Sequence, residues 1–235
     1  MKGFFITFEG IEGTGKSTQA EALYDVLKRD GLPVYLTHEP GGTKIGDRVR
    51  ELLLNPENGD MDSMTEILLY AASRAQLVAQ VLRPYLEEGY IVICDRFVDS
   101  SIAYQAFGRS IPVNVIRDIN SFATWNVAPD ITFYMDLEPE VSLNRIKLRV
   151  EETENLPDRL EREKVEFFRK VRDGYHMLMS DELGRFRLID ASLKPQDIHE
   201  KILSLVAREL RKANLYFSGK TTVDNSDFPF NFSID

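Results

Sequence analysis

Residues Gly10 to Ser17 read Gly-Ile-Glu-Gly-Thr-Gly-Lys-Ser and follow directly on the apolar run Phe4 to Phe8. A strand that runs into this glycine and Lys-Ser spacing is the Walker A arrangement. Gly10 and Gly15 let the backbone curl without a Cβ clash. The N–H groups from Glu12 through Gly13, Thr14, Gly15 and Lys16 to Ser17 then turn onto phosphate oxygens. A helix beginning behind them, with Thr18 in its first turn, places its positive end at the anion. Lys16 is placed to neutralise charge on the β- and γ-phosphates, and Ser17 offers a hydroxyl to Mg2+. The expected ligand is ATP or another nucleoside triphosphate with Mg2+. A ligand-free glycine turn is the alternative, and the full pattern weighs against it.

The 235 residues allow one large domain with a full core. With 29 Lys and Arg against 38 Asp and Glu, the net charge of −9 disfavours nucleic acid as a partner. An anionic ligand must then be held by a local cluster of cations, for which Arg50, Arg74, Arg96, Arg149 and Arg159 are candidates. No apolar stretch reaches the length of a membrane span, and no leader peptide is expected where a strand and the loop come first. The single cysteine, Cys94, sits in the run Ile91-Val92-Ile93-Cys94, where a buried thiol is expected. One cysteine forms no internal disulfide and suits a reducing, cytoplasmic setting. His38, His176 and His199 lack metal-ligand spacing, so no zinc site is expected.

Apolar runs alternate with helical patterns. Strands are expected at Phe4 to Phe8, Val34 to Thr37, Tyr90 to Cys94, Ile131 to Met135 and Arg185 to Ile189. Helices are expected at Ser17 to Arg29, Thr65 to Glu88, Val113 to Trp125, Glu138 to Arg149, Glu161 to Met179 and Pro195 to Lys212. This alternation predicts an α/β fold: a five-stranded parallel sheet flanked by helices, a three-layer sandwich of the P-loop NTPase type. Ligands gather along the edge where the loops after the strands meet. The acidic segment Val150 to Pro157 reads as a helix–helix loop or part of a mobile lid, and its flanking arginines favour a lid over about 147–160. One domain is expected over 1–213. The tail, 214–235, mixes polar residues with Phe217, Phe228, Phe230 and Phe232. Its Asn-Leu-Tyr-Phe-Ser-Gly resembles part of a protease-cleavage scar, and it is set apart from the site.

Three further segments fall at the ligand-bearing edge. Glu39-Pro40-Gly41-Gly42-Thr43 is a tight turn before Gly46, Asp47 and Arg50 on a helix; alone, it reads equally as a connecting loop. In Asp95-Arg96-Phe97, the carboxylate at a strand end suits water on Mg2+ and the arginine suits phosphate oxygens, against the alternative of a surface ion pair. After it, Asp99 or Ser100 is expected to cap a helix, with Ser101 and Gln105 on one face and Ser100 and Tyr104 on another. Tyr70 and Arg74 stand four apart, so a pyrimidine could stack on the ring while the guanidinium donates to it. A half-buried tyrosine beside a solvated arginine explains that spacing equally well.

Together these segments resemble the thymidylate kinase family. The resemblance runs in order from Phe4 to about Ile202. It rests on Glu39-Pro40-Gly41-Gly42-Thr43, on Tyr70 to Arg74 followed by Ala75, and on Asp95 through Gln105. Pro129-Asp130-Ile131-Thr132 and Phe167 to Tyr175 add to it. It implies transfer of phosphate from MgATP to dTMP, giving dTDP for dTTP synthesis. Lys16 and Ser17 would serve ATP and Mg2+, with Asp95 as the second metal-side group. Glu12 would meet the sugar 3′-hydroxyl, and Arg96 the 5′-phosphate, with Arg50 and Glu39 nearby. Tyr70 would stack on thymine, Arg74 and Gln105 would read its edge beside Ser100 and Ser101, and Tyr104 would crowd the 2′ position. Lys16, Glu12, Arg96 and Arg149 form the implied catalytic set. Some members carry an arginine inside the phosphate loop where this chain has Gly13. The chain therefore resembles the bacterial subgroup whose lid supplies the charge, here Lys147, Arg149 or Arg159, with Arg149 the first choice. A homodimer is also implied. The competing readings are a UMP/CMP-type kinase and a non-catalytic P-loop switch; the guanine-reading Asn-Lys-x-Asp of GTPase switches is missing from the sequence.

Overall fold

The computed structural model describes residues 3–153 and 156–215. The expected tail therefore lies outside the described residues from 216 onward, as do lid residues 154 and 155. The strands are β1 (Phe4–Glu9), β2 (Val34–His38), β3 (Ile91–Asp95), β4 (Ile131–Asp136) and β5 (Phe186–Asp190). All pair in parallel, in the order β2-β3-β1-β4-β5. Each apolar run read from the sequence forms its strand with ends moved by at most one residue.

The strand period of two decides what each β1 residue meets. Phe4, Ile6 and Phe8 pack with Ala20, Leu23, Val26 and Leu27 of α1 (Lys16–Arg29), and with Ile198, Ile202 and Val206 of α9 (Pro195–Lys212). Phe5 faces the other way, onto Leu77, Val78 and Leu82. Burying each such side chain contributes roughly 1.5–3 kcal/mol. Glu9 shares the parity of Phe5, which carries its carboxylate to the side opposite α1.

The remaining helices are α2 (Lys44–Leu54), α3 (Ser63–Leu77), α4 (Arg83–Glu87), α5 (Val98–Ser101), α6 (Val113–Thr124), α7 (Pro139–Thr153) and α8 (Val165–Asp181). Thr43 caps α2 through Gly46 N–H at 3.0 Å, and Asp62 caps α3 through Met64 N–H at 2.8 Å. The single helix expected over Thr65 to Glu88 is instead α3, a π-helical turn at Val78–Leu82, and α4. Pro84 explains the change, because it lacks an N–H and crowds the carbonyl four residues back. Three other boundaries also differ. α7 runs on to Thr153, four residues past the expected Arg149, so residues 150–153 of the acidic segment are helix and not loop. α8 starts at Val165 rather than Glu161, after a turn through Asp158 to Arg162. α5 starts at Val98, so neither Asp99 nor Ser100 caps it; Asp99 is buried and its carboxylate takes Arg185 at 2.7 Å on each oxygen.

Candidate functional site

β1 and β3 are neighbours, with Phe8 in register with Asp95, so the loops after both strands meet at one edge. Gly10 (φ 140°) and Gly15 (φ 84°) take backbone conformations that side chains disfavour. A Cβ on Gly10 would fall 2.4 Å from the Met135 carbonyl oxygen. α7 braces this loop: Ser142 Oγ donates to the Glu12 carbonyl at 2.6 Å, and Arg145 Nη1 donates to the Gly13 carbonyl at 3.2 Å. Thus an arginine does lie on the loop, carried there by a distant helix.

Lys16 Nζ donates to the Ile11 carbonyl at 2.7 Å and to Thr14 Oγ1 at 3.2 Å. Burial, aided by the charge of Arg96, pushes its pKa down to about 8. Ser17 Oγ donates to Asp95 Oδ2 at 2.5 Å. Asp95 Oδ1 is buried and has no hydrogen-bond partner among the described residues. No cluster of three or more metal-ligating side chains occurs among them. That donor set fits Mg2+, which prefers one or two protein oxygens with phosphate and water completing its octahedron.

Arg96 follows β3 with φ 72°, an unusual conformation for a side-chain-bearing residue. Its N–H donates to the Phe8 carbonyl at 2.9 Å. Its guanidinium donates to the Gly10 carbonyl and to Glu12 Oε1, both at 2.8 Å, and lies 5.1 Å from the Tyr104 ring centre. Glu12 Oε2 accepts from Tyr104 OH at 2.6 Å. Behind this group Glu9, fully buried, accepts from the Phe97 N–H (2.7 Å), Ser100 Oγ (2.6 Å) and Tyr175 OH (2.8 Å). Burial, reinforced by Asp99, raises the Glu9 pKa to about 7. Ser100 Oγ also accepts from Arg96 Nη1 at 3.2 Å, so Glu9 holds the arginine's support.

One cleft of about 570 Å3 joins these groups to the rest of the expected site. Glu12, Gly13, Lys16, Ser17, Asp95 and Arg96 line it, together with Glu39, Arg50, Tyr70, Ser100, Ser101, Tyr104, Gln105 and Arg149. Tyr104 and Gln105 both reach it from a π-helical stretch, Ile102–Gly108, that continues α5. Arg50 Nη1 is tied to the Pro40 carbonyl at 3.0 Å.

Two expected arginines do not line this cleft. Arg74 is not the solvated arginine that its helical spacing left open. It is 1% exposed and donates to Glu39 Oε2 (2.7 Å), Ser101 Oγ (2.9 Å), Asn120 Oδ1 (2.7 Å) and the Phe97 carbonyl (3.1 Å). Arg159 is taken up elsewhere: Nε donates to the Leu53 carbonyl at 2.7 Å, and Nη2 pairs with Glu66 at 2.6 Å. Lys147 is exposed and its ion pair is with Glu151 at 3.8 Å.

A family model described as thymidylate kinase matches residues 8–202. The chain belongs to the thymidylate kinase family. It is similar to the thymidylate kinase of Halothermothrix orenii, 50% identical over 202 residues covering 86% of this chain and 95% of that one. The Bacillus velezensis thymidylate kinase is 44% identical over 215 residues, 92% of this chain and all of the other. A crystal structure of thymidylate kinase from Ehrlichia chaffeensis superposes with a TM-score of 0.69 at 32% identity, covering 88% of this chain and 99% of that one.

Three residues around the site, Glu9, Glu66 and Arg145, leave little mark in the sequence. Glu9 had one signal, a lone acid ending an apolar strand just before the phosphate loop. Glu66 had another, since Glu66, Tyr70 and Arg74 recur at four-residue spacing on one helical face. Arg145 had none, because its partner is a backbone carbonyl 132 residues away.

Proposed function

We propose that this chain transfers the γ-phosphoryl group of ATP to the 5′-phosphate of dTMP. The observation that carries the reading is one cleft lined both by Lys16 of the phosphate loop and by the Arg96–Glu12–Tyr104 cluster. The acceptor oxygen is already anionic at neutral pH, so no general base has to create the nucleophile. The obstacles are repulsion and misalignment, which positioned cations overcome. Lys16 and the loop N–H groups hold the ATP phosphates, while Arg96, with Arg50 and Glu39 close by, holds the acceptor. Mg2+, held by Ser17 and Asp95, would neutralise charge between the β- and γ-phosphates. Glu12 meets the sugar hydroxyl, Tyr104 crowds the 2′ position, Tyr70 stacks on the base, and Gln105 reads its edge. Arg74 acts from behind, fixing Glu39 and Ser101.

Residues 1–213 act as one kinase domain, and the segment around 147–160 acts as its lid. Arg149 is the lid cation that reaches the transferring group, and Arg159 is the anchor of the lid's far end. Closure excludes water as a competing acceptor. The enzyme works in the cytoplasm, in keeping with its buried lone thiol; no helix of the described residues is long and apolar enough to cross a membrane.

A homodimer is supported by an apolar face on three adjoining helices. α3 packs against both α2 and α6, and Ile45, Leu52, Met64, Leu68 and Phe122 on these helices are exposed. Sedimentation should give twice the chain mass, and Leu68→Glu with Phe122→Glu should halve it.

Specificity constants for MgATP with dTMP, UMP and CMP test the main reading. dTMP should lead by at least about a hundredfold. UMP or CMP ahead of dTMP would replace it with the broader monophosphate-kinase reading.

A further inference from the structure

Glu66 on α3 is fully buried and does not itself line the cleft. Its Oε1 accepts from Gln105 Nε2 at 2.8 Å and from Arg109 Nε at 3.3 Å. Its Oε2 accepts from Arg109 Nη2 at 3.1 Å and pairs with Arg159 Nη2 at 2.6 Å. Burial by itself would raise the pKa of this carboxyl, but the hydrogen bonds and charges of Arg109, Gln105 and Arg159 hold it below the usual range. An ionised carboxylate only accepts hydrogen bonds. A glutamine amide beside it therefore has one stable orientation, with its NH2 turned toward the carboxylate. That orientation follows from the chemistry of the pair. The same rotation turns Gln105 Oε1 the other way. Gln105 lines the cleft, and its Oε1 accepts no hydrogen bond among the described residues and is not one of their sealed, unpartnered atoms.

We infer that Glu66 is a positioning residue that fixes the polarity of the base-reading amide, so that the cleft presents an acceptor to the pyrimidine edge. Thymine and uracil carry an N3–H donor flanked by carbonyls. Cytosine carries a bare N3 acceptor beside an amino group. An outward Oε1 serves the first pattern and opposes a lone pair in the second. A site built to bond a substrate N–H discriminates strongly against an analogue without it, because its own polar group is left unpaired. Discrimination against cytosine is therefore set one residue behind the base, by a carboxylate that never touches it. This inference rests on the proposed dTMP-kinase reading and adds how the site chooses among pyrimidines.

Glu66→Gln keeps the shape but lets position 66 donate or accept, so the Gln105 amide is free to turn over. Specificity constants are compared for dTMP, dUMP and dCMP. The wild type should prefer dTMP and dUMP over dCMP by about a hundredfold or more. In E66Q the dTMP-to-dCMP ratio should fall by about tenfold or more, with dTMP losing and dCMP gaining. Glu66→Asp, which still only accepts, should keep the wild-type ratio. Equal losses on all three nucleotides in E66Q would leave Glu66 as a mere counter-ion for Arg109 and Arg159 and overturn the inference. If E66Q is recovered unfolded, side-chain amide NMR of the wild type decides. Gln105 NH2 protons protected from exchange without nucleotide support the inference, and unprotected protons that become protected when dTMP binds overturn it. A wild type that makes no dTDP from dTMP would instead overturn the functional reading beneath it.

Discussion

Arg149 on α7 and Glu161 in the turn that follows hold each other at 2.7 Å, Nη2 to Oε2, at the rim of the cleft. Glu161 is 8% exposed and fixed further by the Asp158 N–H at 3.1 Å, whereas Arg149 is 47% exposed. An ion pair with one partner so open contributes little to stability, about 1 kcal/mol or less. The arginine is therefore loosely held, and a bound γ-phosphate can compete for it. We predict that Arg149→Ala lowers kcat by about 10³-fold, the scale of an arginine finger. The KM for dTMP should move by less than about threefold. Parallel loss in both constants would remove Arg149 from the transfer step.

Arg96 is the opposite case, gripped by Gly10, Glu12 and Ser100 in a conformation that its backbone disfavours. Its rigidity suits holding an acceptor. Arg96→Ala is predicted to weaken dTMP binding by about 10²-fold, as loss of a charge-assisted pair should, with ATP binding nearly unchanged. Calorimetric titration with each nucleotide checks this, and an unaltered dTMP affinity would contradict it.

Lys16 gives a pH signature. Its pKa in the free enzyme is down at about 8 from 10.5, through burial and the charge of Arg96. Phosphate favours the charged form, so ATP binding must draw a proton onto Lys16 once the pH exceeds about 8. ATP affinity should then fall as the pH rises through that value, and proton uptake should accompany binding at pH 8.5 but not at pH 6.5. Titration calorimetry in buffers of different ionisation enthalpy measures the uptake. No uptake at the higher pH would contradict this account of Lys16.

Arg159 should behave as a structural residue. It is 7% exposed and paired with the buried Glu66. Arg159→Ala is predicted to lower stability by about 3 kcal/mol, because the change breaks a buried pair. The remaining folded enzyme should keep kcat within about fivefold. Urea unfolding and kinetics on the same preparation separate the two effects.

The sheet was legible because each strand is an apolar run bounded by turn residues, and the phosphate loop because glycines and Lys-Ser recur at fixed spacing. Helical spacing put Tyr70 and Arg74 on one face but said nothing of depth, and only the family resemblance assigned Tyr70 to the base. Arg74, four residues on, is buried by Glu39, Ser101 and Asn120, all distant in sequence. For the same reason Glu9 was missed: its partner Tyr175 lies 166 residues away. Carboxylate roles set by tertiary partners leave little local trace. The two π-helical segments were also hidden, since periodicity counts assume 3.6 residues per turn.

Phosphorus NMR of one reaction containing MgATP, dTMP and the wild-type protein tests the central claim most directly, namely that two phosphate ends meet in one cleft with their repulsion neutralised. The account predicts that ADP and dTDP appear together in equal amounts, with inorganic phosphate negligible. ADP and inorganic phosphate accumulating without dTDP would contradict it.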